Sequence, residues 1–136
     1  MFLESHSFTL KTTKREQFLP ITDQVNQVVK ESGARSGLCK VFIPHTTAGV
    51  TITENADPDV ITDVLMMFNE LVPQHKRFLH SEGNSDAHVK STIVGVYIEI
   101  PIENGRLALG QWQGIFFTEF DGPRTRKVTV TILGEK

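Results

Sequence analysis

Asn104-Gly105 lies between two β-forming runs, Val96–Ile102 and Arg106–Leu109, and constrains the fold more than any other short feature of the chain. A tight hairpin turn needs left-handed backbone at its centre, which Asn and Gly adopt at least cost. The two runs are therefore expected as antiparallel neighbours. Residues 5–13, 38–43, 48–53, Ile115–Phe120 and Lys127–Leu133 carry the same β-type composition or alternation.

Two segments break this period. Ile21, Val25, Val28 and Val29 share one face of a helix, with Thr22 expected as its N-cap and Gly33 as its stop. Asp57-Pro58-Asp59 is a strong helix start, combining a capping acid, Pro at the first helical position and a second acid on the positive dipole end. The helix that follows places Val60, Ile61, Val64, Leu65, Met67, Phe68, Leu71 and Val72 on one apolar arc, with Met66 on the polar side and Pro73 as terminator. Ser85 or Asp86 is expected to cap a short helical turn ending at Gly95. About seven strands and two main helices result, with strands clustered at both ends of the chain. This pattern predicts the α+β class, an antiparallel β-sheet or sandwich, as a single domain over residues 1–136.

A chain of 136 residues with 39% hydrophobic residues and nine Phe can bury roughly 68–70% of its unfolded surface, without disulfide or structural metal. Its one cysteine, Cys39, lies in an apolar run and is expected as a buried strand residue in a reducing compartment. Met1–His6 lacks the features of a signal peptide, and no apolar run reaches membrane-spanning length, so a cytoplasmic protein without membrane contact is expected. A net charge of -2 gives no general attraction to nucleic acid.

The chemistry-bearing residues fall into two groups. His45 stands between a strand and two threonines, while His80 and His88 bracket a polar loop. Imidazole is the commonest metal ligand and a general acid or base near neutrality. Converging, these three would suit Zn²⁺ or a similar ion, with Glu54, Asp86 or Glu119 as fourth ligand or base. Their spacing matches no local zinc motif, and surface or capping histidines are the plain alternative. The second group is Lys90, Arg106, Arg124, Arg126 and Lys127 at loops and strand ends, of which Arg124 and Arg126 suit phosphate or carboxylate. Trp112, between two glycines, suits either core packing or stacking on a ring. The chain lacks a nucleophile elbow, a phosphate loop, a dinucleotide fingerprint and a paired Cys-x-x-Cys.

Five segments together resemble the YjbQ family, often described as secondary thiamine-phosphate synthase. They are Phe42–Val60 (Phe-Ile-Pro-His-Thr-Thr-Ala-Gly-Val-Thr-Ile-Thr-Glu-Asn-Ala-Asp-Pro-Asp-Val), Leu79–Ser91 (Leu-His-Ser-Glu-Gly-Asn-Ser-Asp-Ala-His-Val-Lys-Ser), Pro101–Arg106, Leu109–Phe116 and Glu119–Arg124. The resemblance implies an α+β fold assembled as a homotrimer. It places the family's histidines on His45, His80 and His88, and its acids on Glu54, Asp86 and Glu119. Gln111 stands where the family commonly has Thr, and Thr118 where it often has Cys.

The implied activity joins an aminopyrimidine diphosphate to a thiazole phosphate and expels pyrophosphate. Charge on the leaving group would be met by Mg²⁺ and by Lys90, Arg124 and Arg126, with Trp112 against a ring. Mg²⁺ prefers oxygen ligands, however, whereas three histidines favour zinc or another transition ion. A transition-metal-dependent hydrolase or lyase of a small phosphorylated or carboxylated compound is therefore a second reading. A non-catalytic trimer that binds a small ligand or stabilises a partner is the third.

Overall fold

The computed structural model describes residues 1–75 and 77–136. Eight strands and three helices follow in the order β1 (Phe2–Lys11), β2 (Gln17–Pro20), α1 (Thr22–Ser32), β3 (Ser36–Phe42), β4 (Ala48–Glu54), α2 (Pro58–Leu71), α3 (Ser85–Val94), β5 (Tyr97–Glu103), β6 (Arg106–Leu107), β7 (Gln113–Glu119) and β8 (Thr125–Glu135). One sheet has the order β1-β8-β3-β5-β6 and the other β2-β7-β4. Every pairing is antiparallel. The class is α+β, as the sequence predicts. The hairpin forms at the expected place, Ile102 facing Leu107 and Asn104 and Gly105 taking φ of 53° and 78°.

Each sheet buries the residues that its period selects. Along β8, Arg126, Val128, Val130 and Ile132 point inward while Thr125, Lys127 and Leu133 point out. Val128, Val130 and Ile132 meet Cys39 and Val41 of β3, Val50 of β4, Ile115 and Phe117 of β7, and Val25 and Val29 of α1 in the main core. The three-stranded sheet has a second core on its other face, where Phe18, Phe116 and Phe120 pack with Ala87 and the inner side of α2. Burial on both faces explains why β7 reads as a nearly continuous apolar run rather than an alternating one.

Four local expectations are corrected. Thr22 lies inside α1 rather than at its N-cap, because its Oγ1 accepts the Ile115 N–H at 2.9 Å. The turn expected before Gly95 is a full helix of ten residues, α3. A short strand, β2, was not expected and pairs with β7. In α2 the apolar arc is wider than the core can cover. Ile61, Val64, Leu65 and Phe68 pack inward, but Met67 and Leu71 remain 44% and 69% exposed along with Met66. The Asp57 cap forms as expected, its Oδ1 accepting from the Asp59 N–H at 2.9 Å. Among the described residues, no helix is long and apolar enough to cross a membrane.

Cys39 is fully buried, and loss of solvation pushes its thiol up to about 12. Native protein is expected to react with no Ellman's reagent at pH 8 over an hour, and to react fully once unfolded in urea. Rapid reaction of the native protein would contradict the packing of β3.

Candidate functional site

The three histidines come together. His45 sits on the β3–β4 connection, His80 on the segment before α3, and His88 on the first turn of α3. All three line one cleft of about 440 Å³, together with Asn84, Arg124 and Arg126. His80 and His88 meet edge to face, with ring centres 5.3 Å apart. The volume lies in the range of small-ligand sites.

His45 is fixed by the backbone of β8. Its Nε2 accepts the Lys127 N–H at 2.9 Å, which leaves the proton of the neutral ring on Nδ1. Partial burial, and then the charge of Arg126, hold its pKa below the usual imidazole value, against the opposing pull of Glu119. His45 is thus a neutral hydrogen-bond donor with no lone pair left for a metal ion. Among the described residues, no three His, Cys, Asp or Glu side chains are arranged to hold a metal. The three-histidine metal centre expected from sequence does not fit this donor set, and the physical reason is the Lys127 N–H on His45.

The wall behind His45 is a buried ion pair. Arg126 Nε donates to Glu119 Oε1 at 2.9 Å and its Nη2 donates to Glu119 Oε2. Nη2 also donates to the carbonyl and hydroxyl oxygens of Thr47 at 3.3 and 2.9 Å, fixing the turn after His45. Glu119 further accepts from Thr12 Oγ1 at 2.7 Å and from the N–H groups of Phe120 and Asp121 at 3.1 and 3.2 Å. Both its oxygens are saturated with donors, so it holds Arg126 and does not line the cleft.

Arg124 belongs to the β7–β8 turn, which is clasped against the segment before β2. Gly122 N–H donates to Arg15 O at 2.9 Å, and a Cβ on Gly122 would lie 2.2 Å from Lys14 O. Only glycine permits that approach. Arg124 donates to Asp121 through Nε and Nη2 at 2.7 and 3.0 Å. Asp121 Oδ2 also accepts from Asn84 Nδ2 at 2.8 Å, joining this turn to the start of α3.

Asp86 and Lys90 lie beneath the cleft rather than in it. Asp86 accepts both guanidinium branches of Arg15, at 3.2 and 3.0 Å. Lys90 is 1% exposed and donates to Glu16 at 2.9 Å, Asn69 at 2.7 Å and Asp86 at 3.5 Å. The network pins α3, and with it His88, to the β1–β2 connection and to α2. Glu54 lines a different cleft of about 410 Å³ with Lys14, Glu16 and Asp57. Trp112 is 58% exposed on the loop before β7, where its carbonyl accepts the Asn55 N–H at 3.1 Å. Neither lines the histidine cleft.

Asn84 is the site residue that sequence reasoning missed. It is 8% exposed, and its Oδ1 is buried without a hydrogen-bond partner among the described residues. A buried acceptor of this kind calls for a donor such as an ordered water. The only signal in the sequence was its position just before Ser85-Asp86, at the start of a helix.

Residues 6–135 match the sequence model of a family described as UPF0047 protein YjbQ-like. The chain is 51% identical over 126 residues to the UPF0047 protein YugU of Bacillus subtilis, covering 92% of this chain and 96% of that relative. A crystal structure from Clostridium acetobutylicum, of an uncharacterized conserved protein of the same family, matches with a TM-score of 0.92 and 52% identity over 94% of this chain and 99% of that one. A YbjQ-like protein of unknown function from Sulfolobus solfataricus matches with a TM-score of 0.94 and 33% identity, over 98% and 99% of the two chains.

Proposed function

The chain belongs to the UPF0047 protein YjbQ-like family, and on that premise we propose that it is a small-molecule enzyme whose histidine cleft takes a phosphorylated substrate. The observation that carries this reading is the convergence of His45, His80, His88 and Arg124 on one cleft of ligand size. His45 Nδ1–H and the Nη1 groups of Arg124 and Arg126 are donors that the described residues leave free for phosphate oxygens. His80 and His88 are positioned for proton transfer at the reacting bond. Donors fixed before substrate arrives stabilise charge as it develops on a departing diphosphate.

Resemblance to secondary thiamine-phosphate synthases supports group transfer between an aminopyrimidine diphosphate and a thiazole phosphate as the reaction. Assembly as a homotrimer belongs to the same reading, and the apolar strip that α2 leaves outward at Met67 and Leu71 supports it. A divalent ion accompanying the diphosphate is compatible with this chemistry, but no step is assigned to one.

The test is calorimetric titration of pyrophosphate into wild type and His88→Ala, followed by incubation with both precursors and Mg²⁺. His88→Ala is expected to leave pyrophosphate binding, which rests on His45, Arg124 and Arg126, unchanged and to abolish thiamine phosphate formation. Pyrophosphate binding without product in the wild type would leave a non-catalytic ligand-binding protein. Absence of binding in the wild type would end the proposal.

A further inference from the structure

The histidine cleft is lined by two unlike sets of polar atoms. One set donates: His45 Nδ1–H and the Nη1 groups of Arg124 and Arg126. The other accepts, and it lies where the start of α3 meets the β7–β8 turn, at Asn84 and Asp121. Asn84 is 8% exposed and its Oδ1 has no donor among the described residues. Its Nδ2 donates to Asp121 Oδ2 at 2.8 Å, which commits Oδ1 to the role of acceptor. Asp121 is held as firmly. Its Oδ2 also accepts from Arg124 Nη2 at 3.0 Å, while Oδ1 takes no donor among the described residues. The Asp121 side chain is only 16% exposed. Glu82 lines the same cleft but is 69% exposed, so water weakens its field.

An anion site made of donors alone would take any oxyanion of the right size. This cleft is more selective. Water satisfies an acceptor such as Asn84 Oδ1 in the free protein, and a ligand that displaces it must bring a donor or lose affinity. A fully ionised oxyanion brings acceptors only, and sets its charge against the Asp121 carboxylate. Hydrogen phosphate offers the same oxygens to His45 and the arginines, and adds a P–O–H. Sulfate, of similar size and shape, has no such proton near neutrality.

We propose that Asn84, with Asp121 beside it, is a specificity residue that restricts the histidine cleft to phosphate groups retaining a proton. The inference rests on the phosphate reading of that cleft and narrows its substrate class. A terminal phosphate or diphosphate qualifies, because its last phosphorus can carry a hydroxyl. Phosphodiesters and sulfate esters are excluded, since neither has a proton to give at that place. The Asp121 charge opposes a second ionisation of the bound group, so the proton stays where Asn84 accepts it.

The experiment compares inorganic phosphate with sulfate by titration calorimetry near pH 7 and at equal ionic strength, in wild type, Asn84→Ala and Asp121→Asn. The Asn84 side chain makes no capping bond to α3, so Ala there leaves the helix start intact. Wild type is expected to prefer phosphate about tenfold, as for one hydrogen bond involving a charged group. Asn84→Ala should remove that preference by weakening phosphate and leaving sulfate as it was. Asp121→Asn keeps an oxygen for Arg124 and Asn84 and places an amide donor where Oδ1 stood. It should therefore tighten sulfate and narrow the gap from the other side. Equal binding of both anions by wild type would overturn the selectivity and leave the phosphate reading standing. A parallel loss of both anions in Asn84→Ala would make Asn84 a support for the turn and overturn the proposal too. So would a preference that survives both variants. If wild type binds neither anion, the reading of the cleft itself falls, and this inference with it.

Discussion

Glu119→Ala is expected to lower the unfolding free energy by about 3–5 kcal/mol, the usual cost of leaving one partner of a buried ion pair alone. Arg126 is 5% exposed and would keep only its contacts with Thr47. Thr12 and the N–H groups of Phe120 and Asp121 would lose their acceptor as well. In a domain of this size the loss corresponds to a fall in Tm on the order of 10–20 °C. A second readout reports on the site. Glu119 opposes the Arg126 charge at His45, so its removal should move the His45 titration, followed by NMR, to still lower pH. A loss under 1 kcal/mol, or an upward shift of His45, would mean that the carboxylate does not hold Arg126.

Lys90→Ala is expected to cost a similar amount, about 3–5 kcal/mol, because it removes a buried ammonium and leaves space behind it. Glu16 would lose its ion partner, and Asp86 would keep only Arg15. The effect carries a pH signature. Burial pushes the Asp86 carboxyl upward, but the hydrogen bond and charge of Arg15, and then Lys90, outweigh it and hold the pKa below the ordinary value. A carboxyl lowered by folding stabilises the native state above its unfolded pKa of about 3.9. That contribution is lost as pH falls through the lower folded value. Without Lys90 the folded value rises toward the unfolded one, so less is lost on acidification. The gap between wild type and Lys90→Ala in urea melts should therefore be full at pH 6 and shrink below about pH 4. A gap independent of pH would show that Lys90 acts through packing alone.

These two networks also explain how much of the molecule was legible in its sequence. The α2 start was readable because Asp57, Pro58 and Asp59 act on backbone within a few residues of themselves. The same holds for the Asn104-Gly105 turn and the Gly33 stop of α1. Helix α3 was read as a mere turn for a physical reason. Its buried face is Asp86, Ala87, Lys90 and Ser91, so it has no apolar stripe for a periodicity to reveal. Those charges are buried because Arg15, Glu16 and Asn69 meet them from segments far away in the chain. Four-residue β2 was invisible because it is short and ends in Pro20, and its pairing is supplied by β7.

The site divides in the same way. From its residues alone the chain specified an antiparallel hairpin, two amphipathic helices, an α+β class and His45, His80 and His88 as candidate site residues. Local spacing and turn chemistry act over a few residues, so one dimension suffices to read them. Only the tertiary structure decided which partners those residues meet. Packing of α3 against β4 brings His88 to His45, and a backbone N–H of β8 takes the lone pair that a metal would need. Glu119, Asp86 and Lys90 carried the right chemistry for a site in sequence. In space each is saturated by a buried partner, because a charge taken out of water must be paired where it lies.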